Sequence, residues 1–235
     1  MTAVLTTIGF DADDTLWHNE QAFRLTQDRF ASLLSAYAPP DHLEERLLAA
    51  ERRNVGHYGY GVKGFVLSMI ETAIEVTGAK VPASVIGDLV AAGREMLSHP
   101  TELLPHARDA ITGLSGRYKL ILITKGDLLD QERKLAQSGL GDLFDGVEIV
   151  SNKTQTTYEQ VFSRHGSGPS QALMIGNSLR SDVIPALQAG AWAVHVPQPL
   201  TWALEQDEPP THHPRFHTIS DLGQLQDLVG NLDKR

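Results

Sequence analysis

Three aspartates, Asp11, Asp13 and Asp14, fall within four positions of the segment GFDADDTLWHNE. They follow directly on the apolar run AVLTTIGF. Carboxylates this close repel one another, and burial at a strand end sharpens the repulsion. A counter-charge is needed to hold them. The chain has no cysteine, and its candidate ligands are oxygens, which suits a hard divalent cation, Mg²⁺ first. Asn177 and Asp182, in GNSLRSD, could add oxygens to the same ion. A carboxylate beside a cation and a phosphate can attack phosphorus as a nucleophile. A second carboxyl two residues on can act as general acid and then as base. The two need unlike environments to keep opposite protonation states. Thr124, with Lys125 next to it, and Lys153 offer a hydroxyl and ammonium groups to the remaining phosphate oxygens.

Each of these residues stands at the end of an apolar run. The runs are AVLTTIGF (3–10), YKLILIT (118–124), VEIVS (147–151), ALMIGN (172–177) and WAVHVP (192–197). They are strand-length and show little polar alternation, which predicts strands buried on both faces of a parallel sheet. Between the later runs lie amphipathic helical segments. LLDQERKLAQSGL closes on Gly139 and Leu140, a glycine C-cap followed by an apolar contact. Thr156 with Glu159 reads as a capping box opening TYEQVFSRHG. Strand–helix alternation predicts an α/β fold with a doubly wound parallel sheet. Such sheets bind ligands beyond the carboxyl ends of their strands, where all the polar residues above would gather.

Residues 19–99 break the rhythm with no convincing strand. Apolar residues recur there at helical spacing, as in Phe23, Phe30, Leu33, Leu34 and Phe65, Val66, Met69, Ile70. Pro39-Pro40, GYGVKG (59–64) and Pro82 punctuate the stretch. About four helices are expected, as a domain (19–99) inserted into an α/β core made of 1–18 and 100–235. The segment from Pro197 to His217 is expected to be a long surface connection, with FHTIS and DLGQLQDLV a last short strand and helix.

The motif DADDT resembles D-x-D-x-[TV], the first motif of the haloacid dehalogenase-like (HAD) hydrolase superfamily. Thr124 at a strand end is similar to its second motif, Lys153 before a helix to its third, and GNSLRSD to its fourth. All four occur in order, and the helical insertion resembles the family's cap. The resemblance covers essentially the whole chain and implies a Rossmann-like core. It implies Asp11 as nucleophile and Asp13 as general acid/base, with the Asp13 backbone carbonyl a further metal ligand. It also implies Thr124 and Lys153 as phosphate binders and Asp182 as a metal ligand, direct or through water. Asn177 departs from the usual aspartate, so weaker Mg²⁺ binding is expected. Dehalogenases of the superfamily lack the second aspartate, so Asp13 favours a phosphatase. The expected activity is hydrolysis of a small-molecule phosphate monoester through an aspartyl-phosphate. A phosphomutase, a 2-haloacid dehalogenase and a non-catalytic phosphate-binding protein are the alternatives.

Composition narrows the partners. Net charge is −9 and basic residues are dispersed, which argues against nucleic acid and anionic membrane. No run approaches a membrane span and no signal peptide is evident, so a cytoplasmic protein acting on a phosphorylated metabolite is expected. In the cap, RRNVGHYGYGVKGF clusters polar and aromatic residues among glycines, and Tyr58, Tyr60 and Lys63 are its candidates for substrate specificity. His18 reads as structural, and His212, His213 and His217 are too loosely spaced for a zinc site. Asp14 reads as a supporting residue that bonds a loop amide or orients a metal-bound water.

Overall fold

The computed structural model describes residues 4–233. Ala3, the first residue of the expected first strand, lies outside them. The described residues divide into two compact units: 4–20, 101–125 and 131–233 form one, and 21–100 with 126–130 form the other.

The first unit is built on six strands: β1 (Thr7–Phe10), β2 (Lys119–Lys125), β3 (Gly146–Val150), β4 (Ala172–Gly176), β5 (Trp192–His195) and β6 (Phe216–Thr218). All pair in parallel, in the order β3-β2-β1-β4-β5-β6. The order reverses at β1, whose Phe10 lies opposite Leu122 of β2 and Ile175 of β4. This reversal opens the crevice that a doubly wound sheet offers to ligands.

Helices α5 (Ala107–Leu114), α6 (Leu128–Ser138), α7 (Gln155–His165), α8 (Ile184–Gln188) and α9 (Leu225–Leu232) follow or separate the strands. Side chains alternate across each strand, so the sheet carries two cores. Phe10, Leu120, Leu122, Leu173 and Ile175 pack with Ile111 and Leu114 of α5 and with Leu225 and Val229 of α9. Ile121, Ile123, Met174 and Ala193 pack with Tyr158 and Phe162 of α7 and Leu187 of α8. That two-sided burial explains why the central strands read as unbroken apolar runs. The run at 147–151 differs: β3 is an edge strand, and Val147 is 40% exposed. Its apolar content reflects strand propensity rather than enclosure.

Helix ends also depart from expectation at one point. Thr154, not Thr156, caps α7, its hydroxyl accepting from the Thr157 N–H at 3.2 Å. Thr154 has the extended backbone a cap requires, with φ −119 and ψ 168. After α6, Gly139 takes a left-handed φ of 63 and delivers Leu140 into the core.

The second unit holds α1 (Glu20–Leu33), α2 (Pro40–Tyr58), α3 (Val62–Val76) and α4 (Ala83–Ser98). Phe30, Leu34, Leu43, Leu47, Phe65, Met69 and Leu89 form its own core. Gly59 and Gly61 turn α2 into α3 with φ of 74 and 101. No helix among the described residues is long and apolar enough to cross a membrane.

The centre of the sheet leaves no spare volume. A Cβ on Gly9 would stand 2.8 Å from Ile123 Cδ1, 3.1 Å from Met174 Sδ and 3.2 Å from Phe162 Cε1. Gly9→Ala is therefore expected to destabilise the protein by about 1–3 kcal/mol through overpacking, read as a lower midpoint in urea unfolding.

Candidate active site

Strand β1 ends in a turn that carries all three aspartates. The Asp11 N–H donates to the Ile175 carbonyl at 2.9 Å, which continues the ladder one residue past the strand and fixes Asp11 at the crevice. Its carboxylate is buried. Oδ1 accepts from Lys153 Nζ, and Oδ2 accepts from the Thr15 hydroxyl at 3.2 Å. Lys153, also buried, lies just beyond the end of β3 and donates to Asp182 Oδ1 at 2.7 Å as well. One ammonium thus sits between two carboxylates. Burial and the charge of Asp182 raise Asp11 to about 7, with Lys153 pulling the other way. Burial works against the Lys153 charge, but Asp11 and Asp182 outweigh it and hold the ammonium above the usual lysine value.

Asp182 reaches this position through an unusual turn. Five positions separate Asn177 from Asp182, one more than in G-D-x-x-x-D. A π-helical turn over Leu179–Val183 takes up the extra residue, with the Val183 N–H donating to the Ser178 carbonyl at 3.1 Å. Asp182 Oδ2 then accepts from the Ser178 N–H at 3.0 Å. Both Asp182 oxygens are therefore engaged, one by Lys153 and one by backbone.

Asn177 sits on the other side of Asp11. Its amide lies 3.2 Å from the Asp13 carbonyl, 3.2 Å from Asp11 Oδ2 and 3.2 Å from Thr15 Oγ1, and the network assigns its nitrogen toward them. Its own N–H donates to Thr15 Oγ1 at 3.0 Å. The Asp11 carboxylate and the Asp13 carbonyl thus converge with the Asn177 amide on one small, acceptor-rich corner. Turned by a half rotation, the amide would add its oxygen to theirs. A carboxylate, a carbonyl and an amide oxygen are the donor types a hard cation takes, so the residues present fit Mg²⁺. Among the described residues, no group of three or more His, Asp or Glu side chains is arranged to hold a metal. A cation here would depend on the neutral oxygens.

Asp13 has a different environment. Oδ1 accepts from Trp17 Nε1 at 2.7 Å and Lys134 Nζ at 2.9 Å, and Oδ2 from Gln131 Nε2 at 2.8 Å. Burial disfavours its charge, but Lys134 and the bonds from Lys134, Gln131 and Trp17 win, so Asp13 lies below the usual carboxylate range. Thr124, buried at the end of β2, reaches the same group indirectly: its hydroxyl donates to Gln131 Oε1 at 3.3 Å. Asp14 turns away from this cluster. In a left-handed backbone with φ 58, its carboxylate accepts from the N–H groups of Asn19 and Glu20 at 2.9 Å each. It secures the start of α1, and burial raises it to about 6.

Lys125 is drawn elsewhere. Its Nζ donates to Ser181 Oγ at 2.6 Å and pairs with Glu205 Oε1 at 2.5 Å. Glu205 comes from the segment between β5 and β6 and also accepts from the Ser178 hydroxyl at 2.5 Å. That surface connection is therefore anchored on the strand ends through Glu205. Burial opposes the Glu205 charge, yet Lys125, with help from Ser178 and Ser181, holds its carboxyl below the ordinary value.

In the helical unit, the Tyr58 hydroxyl donates to Glu71 Oε1 at 2.8 Å, Lys63 pairs with Asp127 at 2.8 Å, and Tyr60 is partly buried. His18 is exposed, and His217 in β6 stacks on Trp192.

The structure thus brings Asp11, Lys153, Asp182 and Asn177 into one cluster, with Asp13 and Thr124 joined through Gln131. Thr15, Trp17, Gln131 and Lys134 belong to it and escape a reading of strand ends. Thr15 is the last residue of the opening motif, four places after Asp11, which was the available signal. Gln131 and Lys134 are 118 and 121 residues from Asp13, and nothing local marks them.

A family profile described as haloacid dehalogenase-like hydrolase matches residues 5–190, and the chain belongs to that family. A solved haloacid dehalogenase-like family hydrolase from Xanthomonas campestris is 40% identical, with a TM-score of 0.88 over 99% of this chain and 97% of that one. The chain is also 28% identical over 131 residues to a glyceraldehyde 3-phosphate phosphatase of Methanothermobacter thermautotrophicus, covering 53% of this chain and 58% of that protein. It is 26% identical over 134 residues to a pyrimidine 5'-nucleotidase of Escherichia coli, covering 54% and 56%. The chain spans little more than half the length of these two relatives.

The raised Asp11 has a consequence for stability. The unfolded carboxyl ionises near 3.8 and the folded one near 7, so between these values the folded state binds more protons. Stability is therefore lost as pH rises from about 4 to about 7. In metal-free protein, Asp11→Asn removes this loss. The variant is expected to exceed the wild type at pH 8 by on the order of a few kcal/mol, and by much less at pH 4. Thermal melts at the two pH values check it.

Proposed function

We propose that the protein is a Mg²⁺-dependent phosphohydrolase of small phosphate monoesters, working through an aspartyl-phosphate on Asp11. The observation that carries this is the pairing of two carboxylates in unlike settings two residues apart. Asp11 shares an ammonium with Asp182, while Asp13 is fixed by three donors. The two relatives named above both carry names of phosphomonoester hydrolases, which supports the same substrate class.

In this reading the Asp11 carboxylate attacks phosphorus. Lys153 orients Asp11 and sets positive charge beside the transferring phosphoryl group. Asp182 holds Lys153 in place. Asp11, the Asp13 carbonyl and the Asn177 amide oxygen would hold Mg²⁺, which when bound supplies positive charge at the phosphoryl oxygens. Asp13 is a carboxylate at rest, so the leaving oxygen's proton enters with the substrate, bound as its monoanion. Asp13 relays that proton to the leaving oxygen as its bond to phosphorus breaks, then accepts one from the water that cleaves the phosphoenzyme and gives it up to the departing phosphate, which restores the carboxylate. Thr124 aligns Gln131 with Asp13 and offers a hydroxyl at the end of β2. Lys125 is better read as the anchor of the segment bearing Glu205 than as a phosphate ligand. The helical unit, 19–99 in the division expected from sequence, is read as a specificity element, with Tyr58, Tyr60 and Lys63 its candidate contacts.

Purified protein with Mg²⁺ is expected to hydrolyse a generic aryl phosphate, and Asp11→Asn to abolish turnover. Release of halide from a 2-haloacid without Mg²⁺, and with no phosphatase activity, would overturn the reading. Asn177→Asp adds a charge to the proposed ligand set and is expected to lower the Mg²⁺ needed for half-maximal rate severalfold. An unchanged requirement would remove Asn177 from that set.

A further inference from the structure

The Asp13 carboxylate is held by more than its own turn. Trp17, four residues on and fully buried, supplies one donor through its indole. The other two come from α6: Gln131 Nε2 at 2.8 Å and Lys134 Nζ at 2.9 Å. These residues are three apart on the helix and so share a face. Each is itself held at a second point. Gln131 is buried, and its Oε1 accepts from the Thr124 hydroxyl at 3.3 Å. Lys134 also donates to Asn19 Oδ1 at 2.7 Å, and its side chain is only 13% exposed. An aspartate carboxylate ordinarily turns over a broad range about its last torsion. Donors from the turn after β1 and from α6, the two on α6 each with a second tether, restrict Asp13 to one orientation.

We propose that Gln131 and Lys134 are positioning residues for Asp13, fixing the direction in which its carboxylate faces the reacting water. The proposal rests on the reading of Asp13 as proton carrier. In the second displacement, the water oxygen bonds to phosphorus and a water proton passes to Asp13. The bond from phosphorus to the Asp11 oxygen breaks, and its electron pair returns to Asp11. This step needs a correctly aimed base. The first displacement does not need a delivered proton when the leaving group is as acidic as 4-nitrophenol. With 4-nitrophenyl phosphate, kcat/KM covers events up to formation of the phosphoenzyme, and kcat covers its hydrolysis too. A misdirected Asp13 therefore lowers kcat and KM together and spares their ratio. Damage to folding or to the phosphate site lowers the ratio itself.

The experiment uses the full chain with Mg²⁺ and 4-nitrophenyl phosphate, comparing wild type with Lys134→Met and Gln131→Met, whose melting temperatures are measured alongside. The expected result is a fall of about tenfold in both kcat and KM, part of the range general base catalysis spans. Phosphoprotein is expected to accumulate in the acid-quenched variants, seen by intact mass. Lys134→Arg, which keeps a charged donor, is expected to recover most of the lost kcat. Variants that match wild type would overturn the proposal, as would a fall in kcat/KM with KM unchanged. A wild-type chain that turns over no phosphate ester would instead overturn the phosphohydrolase reading, and this inference with it.

Discussion

One ammonium shared by two buried carboxylates is the interaction on which the rest of this site depends. Lys153 bonds Asp11 and Asp182 at once, and all three side chains are buried. Without it, the end of β1 and the turn after β4 would bring like charges together in a low-dielectric crevice. The compensation is incomplete: burial first, and then the charge of Asp182, raise Asp11 to about 7 despite the ammonium of Lys153. Under the proposed function, a bound cation would offset that residual charge.

The backbone supports this arrangement from several directions. Parallel pairing of β1 with β2 and β4 aligns the strand ends, and the Asp11 N–H extends the ladder to Ile175. The π-turn at Leu179–Val183 returns Asp182 toward Lys153 despite the extra residue in its motif. The Asp14 carboxylate secures the N–H groups that open α1, so the third aspartate has a structural use. The three aspartates of the opening cluster thus have three separate sets of partners: Lys153 and Thr15 for Asp11, Trp17, Gln131 and Lys134 for Asp13, and the first N–H groups of α1 for Asp14.

Much of the fold was legible because the central strands are buried on both faces and so read as apolar runs. The edge position of β3 was not, since nothing in VEIVS distinguishes an edge strand from an inner one. The cap of α7 moved from Thr156 to Thr154 because both threonines precede a helical pattern and only backbone geometry separates them. At the candidate site, strand-end logic singled out Asp11, Asp13, Thr124, Lys153, Asn177 and Asp182, which the structure places in one hydrogen-bonded cluster. It placed Lys125 with them by adjacency alone, whereas Glu205, 80 residues away, bonds its ammonium. It missed Gln131 and Lys134 because a polar helix face pointing inward looks, in sequence, like one pointing at water.

In the reaction we propose, Asp11 forms a bond to phosphorus before water does. The steric course at phosphorus tests this most directly, with a phosphorothioate monoester made chiral by oxygen isotopes and hydrolysed in isotopically labelled water. Two successive in-line displacements, first by Asp11 and then by water, predict retention of configuration. Inversion would mean that water attacks the substrate directly, and would contradict the account.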